Sequence, residues 1–370
     1  MFRHRWIAIR NRLLADPGFR RLAERFRPTR YLARGHARAL FDIVGGFTYS
    51  KTLSACLALD LFAKLRDGPL SGAELAAGTG LDAHATSDLL RAGAALKLFQ
   101  AVGAERFALG PLGAVMLDNA AVAAMVRHHD AFYLDMTEPL GLLRGDGGPT
   151  NLQKFWPYAT AAGEVAGAAA EPYSALMAAS QPMVAEQVLA AYPLARHRRV
   201  LDVGGGSGAF LRAVAAAAPG LELALYDLPA VADLAAGALE QQGPAGHIAV
   251  HRGDFCRDAL PTGADLITLV RIVHDHDDET VCGLLARVHA ALPQGGTVLI
   301  AEPMADTPGA AAFTAAYFMF YLRAMGSGRP RRPADIGKML RAAGFVRVQQ
   351  RTTPVPMIAS VMTAEKANVS

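Results

Sequence analysis

The chain has 370 residues, 52% of them hydrophobic and 19% charged, with a net charge of +4, which implies a globular protein of about two domains and excludes a disordered or fibrous one. Its three cysteines, Cys56, Cys256 and Cys282, show no CxxC spacing, so neither a structural zinc nor a disulfide framework is expected and a reducing, cytoplasmic setting fits. No signal-like apolar core and no run of about 20 uninterrupted apolar residues is present, so neither secretion nor a spanning helix is expected.

Charge is concentrated at the start. Residues 1–40 hold eleven arginines against Asp16 and Glu24, a net of +9, so the rest of the chain sums to −5. Trp6, Ile7, Ile9, Leu13 and Leu14 interleave with the arginines. The resulting basic arm, residues 1–38, suits an anionic membrane surface better than nucleic acid, with a solvated helix as the alternative.

Apolar spacing predicts a helix over 39–65, interrupted at Gly45-Gly46. Ser71 with Glu74 forms a capping-box pattern, Gly78-Thr79-Gly80 a turn, 82–98 a second helix and 98–109 a small hairpin. Helix, turn, helix and hairpin make a winged-helix pattern. A DNA reader needs Arg, Lys, Asn or Gln facing bases and phosphates. The second helix offers only Arg91 and Lys97, beside Asp82 and Asp88. The unit is therefore expected to pack or dimerise, with no nucleic-acid partner. Alanine-rich helices over 120–143 and 151–191, with Phe132, Trp156 and Tyr158 among their aromatics, complete a domain of residues 39–195. His128 and His129 are adjacent and cannot share a helix face, so a metal pair is not expected there.

From residue 199 the pattern alternates: strands at 199–204, 221–227, 247–251, 264–270, 296–302, 345–351 and 354–360, with helices at 207–218, 229–241, 277–292, 311–325 and 333–343. Such alternation predicts an α/β, doubly wound, mostly parallel sheet of seven strands over residues 196–370, with the last two strands antiparallel. Its first turn is Asp202-Val203-Gly204-Gly205-Gly206-Ser207-Gly208. Glycines there let the backbone turn tightly and approach a nucleotide-like ligand. Gly204 and Gly206 also fit a dinucleotide pattern, but Asp202 would repel a pyrophosphate. It suits S-adenosylmethionine (SAM), which carries positive charge and no phosphate. Asp227 ends the second strand, where a carboxylate can accept ribose hydroxyls. Asp254 and Phe255 follow the third, placed to meet an adenine amino group and cover its ring. His274 follows the fourth, ahead of the acidic first turn Asp277-Asp278-Glu279, where a neutral imidazole can take a proton from a hydroxyl. His274 and His276, with no third distant ligand, do not make a metal site.

These motifs resemble the class I SAM-dependent O-methyltransferases of the plant caffeate and bacterial small-molecule type, over nearly the whole chain. The resemblance implies a winged-helix dimerisation domain, a seven-stranded methyltransferase domain, a homodimer and a small-molecule substrate. It assigns the SAM loop to 202–208, the ribose acid to Asp227, the adenine site to Asp254 and Phe255, the general base to His274 and a carboxylate orienting it to Glu302. Two departures stand out. Plant members have Lys four residues before the base, where this chain has Val270 followed by Arg271, the nearest candidate for that cofactor contact. A second orienting Glu of the family falls in Gly328-Arg329-Pro330-Arg331, which holds no acid. Phe41-Asp42 through Tyr49-Ser50, residues 173–182 and Met325-Gly326-Ser327-Gly328-Arg329-Pro330 are similar to the carotenoid O-methyltransferases of purple bacteria. That resemblance implies methylation of the 1-hydroxyl of an acyclic carotenoid, as in spheroidene biosynthesis. A phenolic polyketide acceptor and a non-catalytic SAM-sensing regulator are the alternatives.

Overall fold

The computed structural model describes residues 2–155, 167–241 and 248–368. The chain forms two compact units, Met1–Asn119 and Ala120–Ser370. The first begins with α1 (Phe2–Ala15), α2 (Pro17–Arg25) and α3 (Arg27–Ala58). Asp16 caps α2 by accepting the Phe19 N–H at 2.6 Å. The expected break at Gly45-Gly46 is absent: α3 runs through both glycines. The Tyr49 ring lies over Gly45, and its hydroxyl donates to Asp42 at 3.3 Å. That contact spans two turns and helps offset the cost of about 1 kcal/mol that each helical glycine carries.

Beyond α3 come α4 (Leu61–Lys64), β1 (Leu70–Ser71), α5 (Gly72–Ala76), α6 (Ala83–Ala95), β2 (Phe99–Val102), β3 (Arg106–Leu109) and α7 (Pro111–Met116). The Ser71–Glu74 capping box is formed, and Asp82 caps α6 through the Ala85 N–H at 2.7 Å. The three strands pair antiparallel in the order β1-β3-β2, giving the hairpin a third strand that the sequence pattern did not predict. Leu61, Phe62, Leu75, Leu90, Phe99 and Phe107 form the core beneath them.

The second unit opens with α8 (Ala120–Asp135), α9 (Pro139–Arg144), α10 (Asn151–Phe155) and α11 (Gly167–Ala191). The sequence reading grouped these helices with the preceding domain, whereas they belong to the compact unit that begins at Ala120. The reason is visible in α11: its Val184, Ala185 and Val188 are buried in the core of the large sheet. Trp156 and Tyr158 lie outside the described residues.

The remaining elements are β4 (Arg199–Val203), α12 (Ala209–Ala217), β5 (Glu222–Asp227), α13 (Pro229–Gln241), β6 (Ile248–Arg252), β7 (Leu266–Val270), α14 (Asp278–Ala291), β8 (Thr297–Glu302), α15 (Phe318–Met325), α16 (Pro333–Ala342), β9 (Phe345–Arg351) and β10 (Ser360–Lys366). The strands form one seven-stranded sheet in the order β6-β5-β4-β7-β8-β10-β9. β4, β5, β6, β7 and β8 are parallel, and β10 runs antiparallel to both its neighbours. The central strands are apolar on both faces because helices cover both. Leu201, Val203, Ile267 and Ile300 pack with α14 on one side; Val200, Leu225 and Leu299 pack with α11 and α12 on the other. Each such side chain contributes about 1.5–3 kcal/mol of burial. The final strand starts at Ser360, not at 354 as the spacing suggested. Pro354 and Pro356 supply no N–H, so that stretch cannot join a ladder flanked on both sides.

Candidate active site

The residues singled out from sequence gather at the C-terminal ends of the parallel strands. β4 and β7 lie side by side there while the chain leaves the sheet in opposite directions, the position where open α/β sheets hold ligands. Gly204 has φ of 71°, and a Cβ at that position would stand 2.3 Å from Ile272 Cδ1. Glycine is what lets the loop after β4 lie against the loop after β7. The Gly206 and Leu228 N–H groups donate to the two Asp227 carboxylate oxygens, each at 2.8 Å. The Gly253 N–H donates to the Asp227 carbonyl at 3.0 Å, tying the third loop to the first two. Asp202 is buried behind the glycine loop and accepts the Thr268 hydroxyl at 2.6 Å. Burial pushes its carboxyl up to about 7 against the pull of that hydrogen bond. Burial likewise raises Asp227 to about 6, opposed by its two backbone donors. A glycine cradle walled by carboxylates fits a cofactor that carries hydroxyls and positive charge without phosphate.

Asp254 accepts the Cys256 N–H at 2.8 Å and lies 3.5 Å from Arg257. The neighbouring Phe255 ring meets the His276 ring edge-on, with centroids 5.2 Å apart. Arg271 has φ of 58°, and its guanidinium turns to α11, donating to Ser180 Oγ at 2.7 Å and the Met177 carbonyl at 3.1 Å. Its place in the structure is thus a brace between β7 and α11.

His274 sits in a single 3₁₀ turn, Val273–Asp275, and is only 6% exposed. Its Nε2 is 3.1 Å from Asp275 Oδ1, and its Nδ1 is 3.7 Å from Glu302 Oε2. The same Glu302 oxygen accepts the His274 main-chain N–H at 2.9 Å. Glu302 therefore holds the backbone of the turn by a hydrogen bond, while its distance to the ring exceeds hydrogen-bond reach. His274 Nδ1 and Glu302 Oε1 are buried, with no hydrogen-bond partner among the described residues. Burial pushes the imidazole down, but Asp275 and then Glu302 outweigh it, and the net shift is upward. Burial raises the Glu302 carboxyl, with His274 opposing.

Three features escaped the sequence reading. The first is Asp275, 7% exposed and in contact with the ring. The second is Arg331, fully buried, in the segment that lacks the family's second acid. It donates to the Val273 carbonyl at 2.5 Å, the His276 carbonyl at 2.8 Å and the Asp278 carboxylate at 2.6 Å. Arg329 adds a bidentate pair with Asp278 and donates its N–H to the His274 carbonyl at 3.0 Å. Gly328, at φ of 81°, is needed there because a Cβ would fall 2.1 Å from that carbonyl. The basic run at 329–332 facing the acids at 277–279 was the available signal. The third is an aromatic ladder. The expected helix over 311–325 opens with a π-helical turn, Phe313–Tyr317, that leads into α15. Phe313, Tyr317 and Tyr321 stack at centroid distances of 4.8 and 5.4 Å, and Phe318 lies 5.7 Å from the His274 ring. His129 and His128, both half-buried, hydrogen-bond the Tyr317 and Tyr321 hydroxyls at 2.8 and 2.9 Å.

Comparison with known proteins agrees with this architecture. The profile of the O-methyltransferase domain matches residues 156–346, and that of the O-methyltransferase dimerisation domain matches residues 41–119. The chain is 42% identical over 358 residues to the demethylspheroidene O-methyltransferase of Cereibacter sphaeroides, covering 95% of this chain and 93% of that protein. It is 43% identical over 337 residues to the protein of the same name from Rhodobacter capsulatus, covering 90% and 84%. The crystal structure of human N-acetylserotonin methyltransferase with SAM superposes with a TM-score of 0.73 at 25% identity, covering 90% of this chain and 98% of that one. Fold, glycine cradle and full-length likeness lead to one conclusion: this chain belongs to the SAM-dependent O-methyltransferases that carry an N-terminal dimerisation domain.

Proposed function

We propose that the protein methylates the 1-hydroxyl of an acyclic carotenoid, with His274 taking the hydroxyl proton. The identity of 42–43% with two demethylspheroidene O-methyltransferases over nearly the whole chain carries the choice of acceptor. SAM, when bound, supplies an electrophilic methyl group. Gly204 and Gly206 admit the cofactor close to the backbone, Asp202 balances its positive charge, and Asp227 accepts its ribose hydroxyls. Asp254 accepts the adenine amino group and Phe255 covers the ring, while Arg271 braces the β7 loop against α11. His274 removes the proton, and Glu302 holds the turn that aims it. A tertiary alcohol is a weak acid, so proton transfer comes late and the base is needed throughout. The aromatic cluster of Phe313, Tyr317 and Phe318 beside His274 supports an extended apolar acceptor, since aromatic faces pack well against a flat polyene.

The dimerisation domain supports a homodimer. Among the described residues no helix is long and apolar enough to cross a membrane. We place α1 and α2 at the cytoplasmic face of an anionic membrane, where a lipid-dissolved acceptor resides. Trp6, Ile9 and Leu22 are about 60% exposed among the arginines, which supports that contact. The test is turnover of labelled SAM with a 1-hydroxy acyclic carotenoid in anionic vesicles, run beside a phenolic polyketide. A carotenoid methyl ether is expected; methylation of the phenol alone would overturn the acceptor.

A further inference from the structure

We propose that Asp275 is the second half of the proton-accepting unit, so that the proton taken from the acceptor hydroxyl by His274 Nε2 is held as an imidazolium beside the Asp275 carboxylate. The inference rests on the reading of His274 as the base. The two atoms are 3.1 Å apart, and the two residues are 6% and 7% exposed. At that spacing, with little water near, the carboxylate charge favours the imidazolium over the neutral ring. The other ring nitrogen, Nδ1, faces Glu302. An N–H on Nδ1 would lie toward that carboxylate and leave Nε2 as the accepting atom. In the reaction the acceptor O–H bond breaks, its electron pair stays on oxygen, and the proton passes to Nε2 beside the Asp275 carboxylate. A weakly acidic alcohol needs a base stronger than an ordinary imidazole, and a carboxylate against the accepting nitrogen provides it.

The surroundings leave Asp275 as the dominant negative partner. Glu302 approaches from β8 but at the longer distance, 3.7 Å. Arg271 at the end of β7 opposes the imidazolium, and Tyr321 on α15 lies near enough to Asp275 to feel its charge. His276, in the same loop, also opposes a second positive charge. Arg331 spends its donors on the Val273 and His276 carbonyls and on Asp278. The upward shift of His274 has Asp275 as its largest raising influence, ahead of Glu302.

The experiment is an NMR titration of the labelled His274 imidazole in the cofactor-free full chain, together with the pH profile of kcat. In the wild type the ring should titrate above the ordinary imidazole value. Asp275→Asn should lower that midpoint, and by more than Glu302→Gln does. It should move the acidic limb of kcat down by the same amount and cut the plateau by about 10- to 100-fold, with acceptor KM little changed. A wild-type ring titrating at or below the ordinary value overturns the proposal without any variant having to fold. Loss of turnover in Asp275→Asn with an unmoved imidazole midpoint would mean a merely structural Asp275, and would also overturn it. If the titration shifts as expected while His274→Ala keeps full turnover, the fault lies instead with His274 as the base.

Discussion

Asp202, buried behind the glycine loop, and Asp227, which accepts that loop's Gly206 N–H, are the two carboxylates proposed to serve the cofactor, and their protonation should make its binding depend on pH. Burial raises them to about 7 and about 6. The cation and hydroxyls of SAM favour the ionised carboxylates, so lowering the pH through this window protonates the site and weakens binding. Each proton displaced on binding costs up to about tenfold in affinity per pH unit below the midpoint. Calorimetric titration with SAM should therefore show a Kd that is flat above pH 8 and rises steadily between pH 7 and 5. A Kd constant over that range would remove these two carboxylates from cofactor binding. Asp202 and Asp227 were legible in the sequence because a strand end beside a glycine turn has few geometries. Asp275 was not, because adjacency to His274 says nothing about which ring nitrogen its carboxylate meets.

At the scale of elements, the 3₁₀ turn carrying His274 has no regular ladder to hold it. Its carbonyls are taken instead by Arg331 and by the Arg329 N–H, with Glu302 holding the His274 N–H. Arg331→Met would leave buried carbonyls unpaired, at roughly 2–3 kcal/mol of stability. It should lower kcat by at least tenfold while leaving SAM affinity near normal, because its partners lie outside the glycine cradle. Lysine at this position keeps the charge but cannot bridge three groups, and should recover little. Denaturant unfolding, calorimetry and turnover on the two variants would test this; wild-type kcat in Arg331→Met would show that the turn holds itself. Periodicity located the strands β4 to β9 well, since alternation with helices constrains them. It misplaced β10 because Val355 and Ile358 look strand-like while Pro354 and Pro356 beside them forbid the ladder. It passed over the π-helical turn because a π-helical register leaves the same apolar content as an α-helix.

On the scale of the whole molecule, the basic arm is separable from the chemistry. Deleting residues 1–26 removes α1 and α2 and a net +5 of the +9 charge of the first 40 residues. Each arginine near an anionic surface contributes about 1 kcal/mol, falling off within the Debye length. Co-sedimentation with anionic vesicles should drop strongly and become less salt-sensitive, with SAM affinity unchanged; equal sedimentation of both forms would remove the arm from membrane contact. The division of the chain was less legible than its motifs. Residues 120–191 read as helices that complete the domain of residues 39–195, whereas α11 packs its Val184, Ala185 and Val188 into the core of the large sheet. The central claim is that His274 takes the acceptor proton. Its most direct measurement is single-turnover methyl transfer to the hydroxylated carotenoid by His274→Ala, with SAM binding followed in parallel and His276→Ala alongside. The account predicts a rate lowered by about 10²–10⁴ in His274→Ala, SAM binding near normal, and a far smaller loss in His276→Ala. Near-normal transfer by His274→Ala would contradict it.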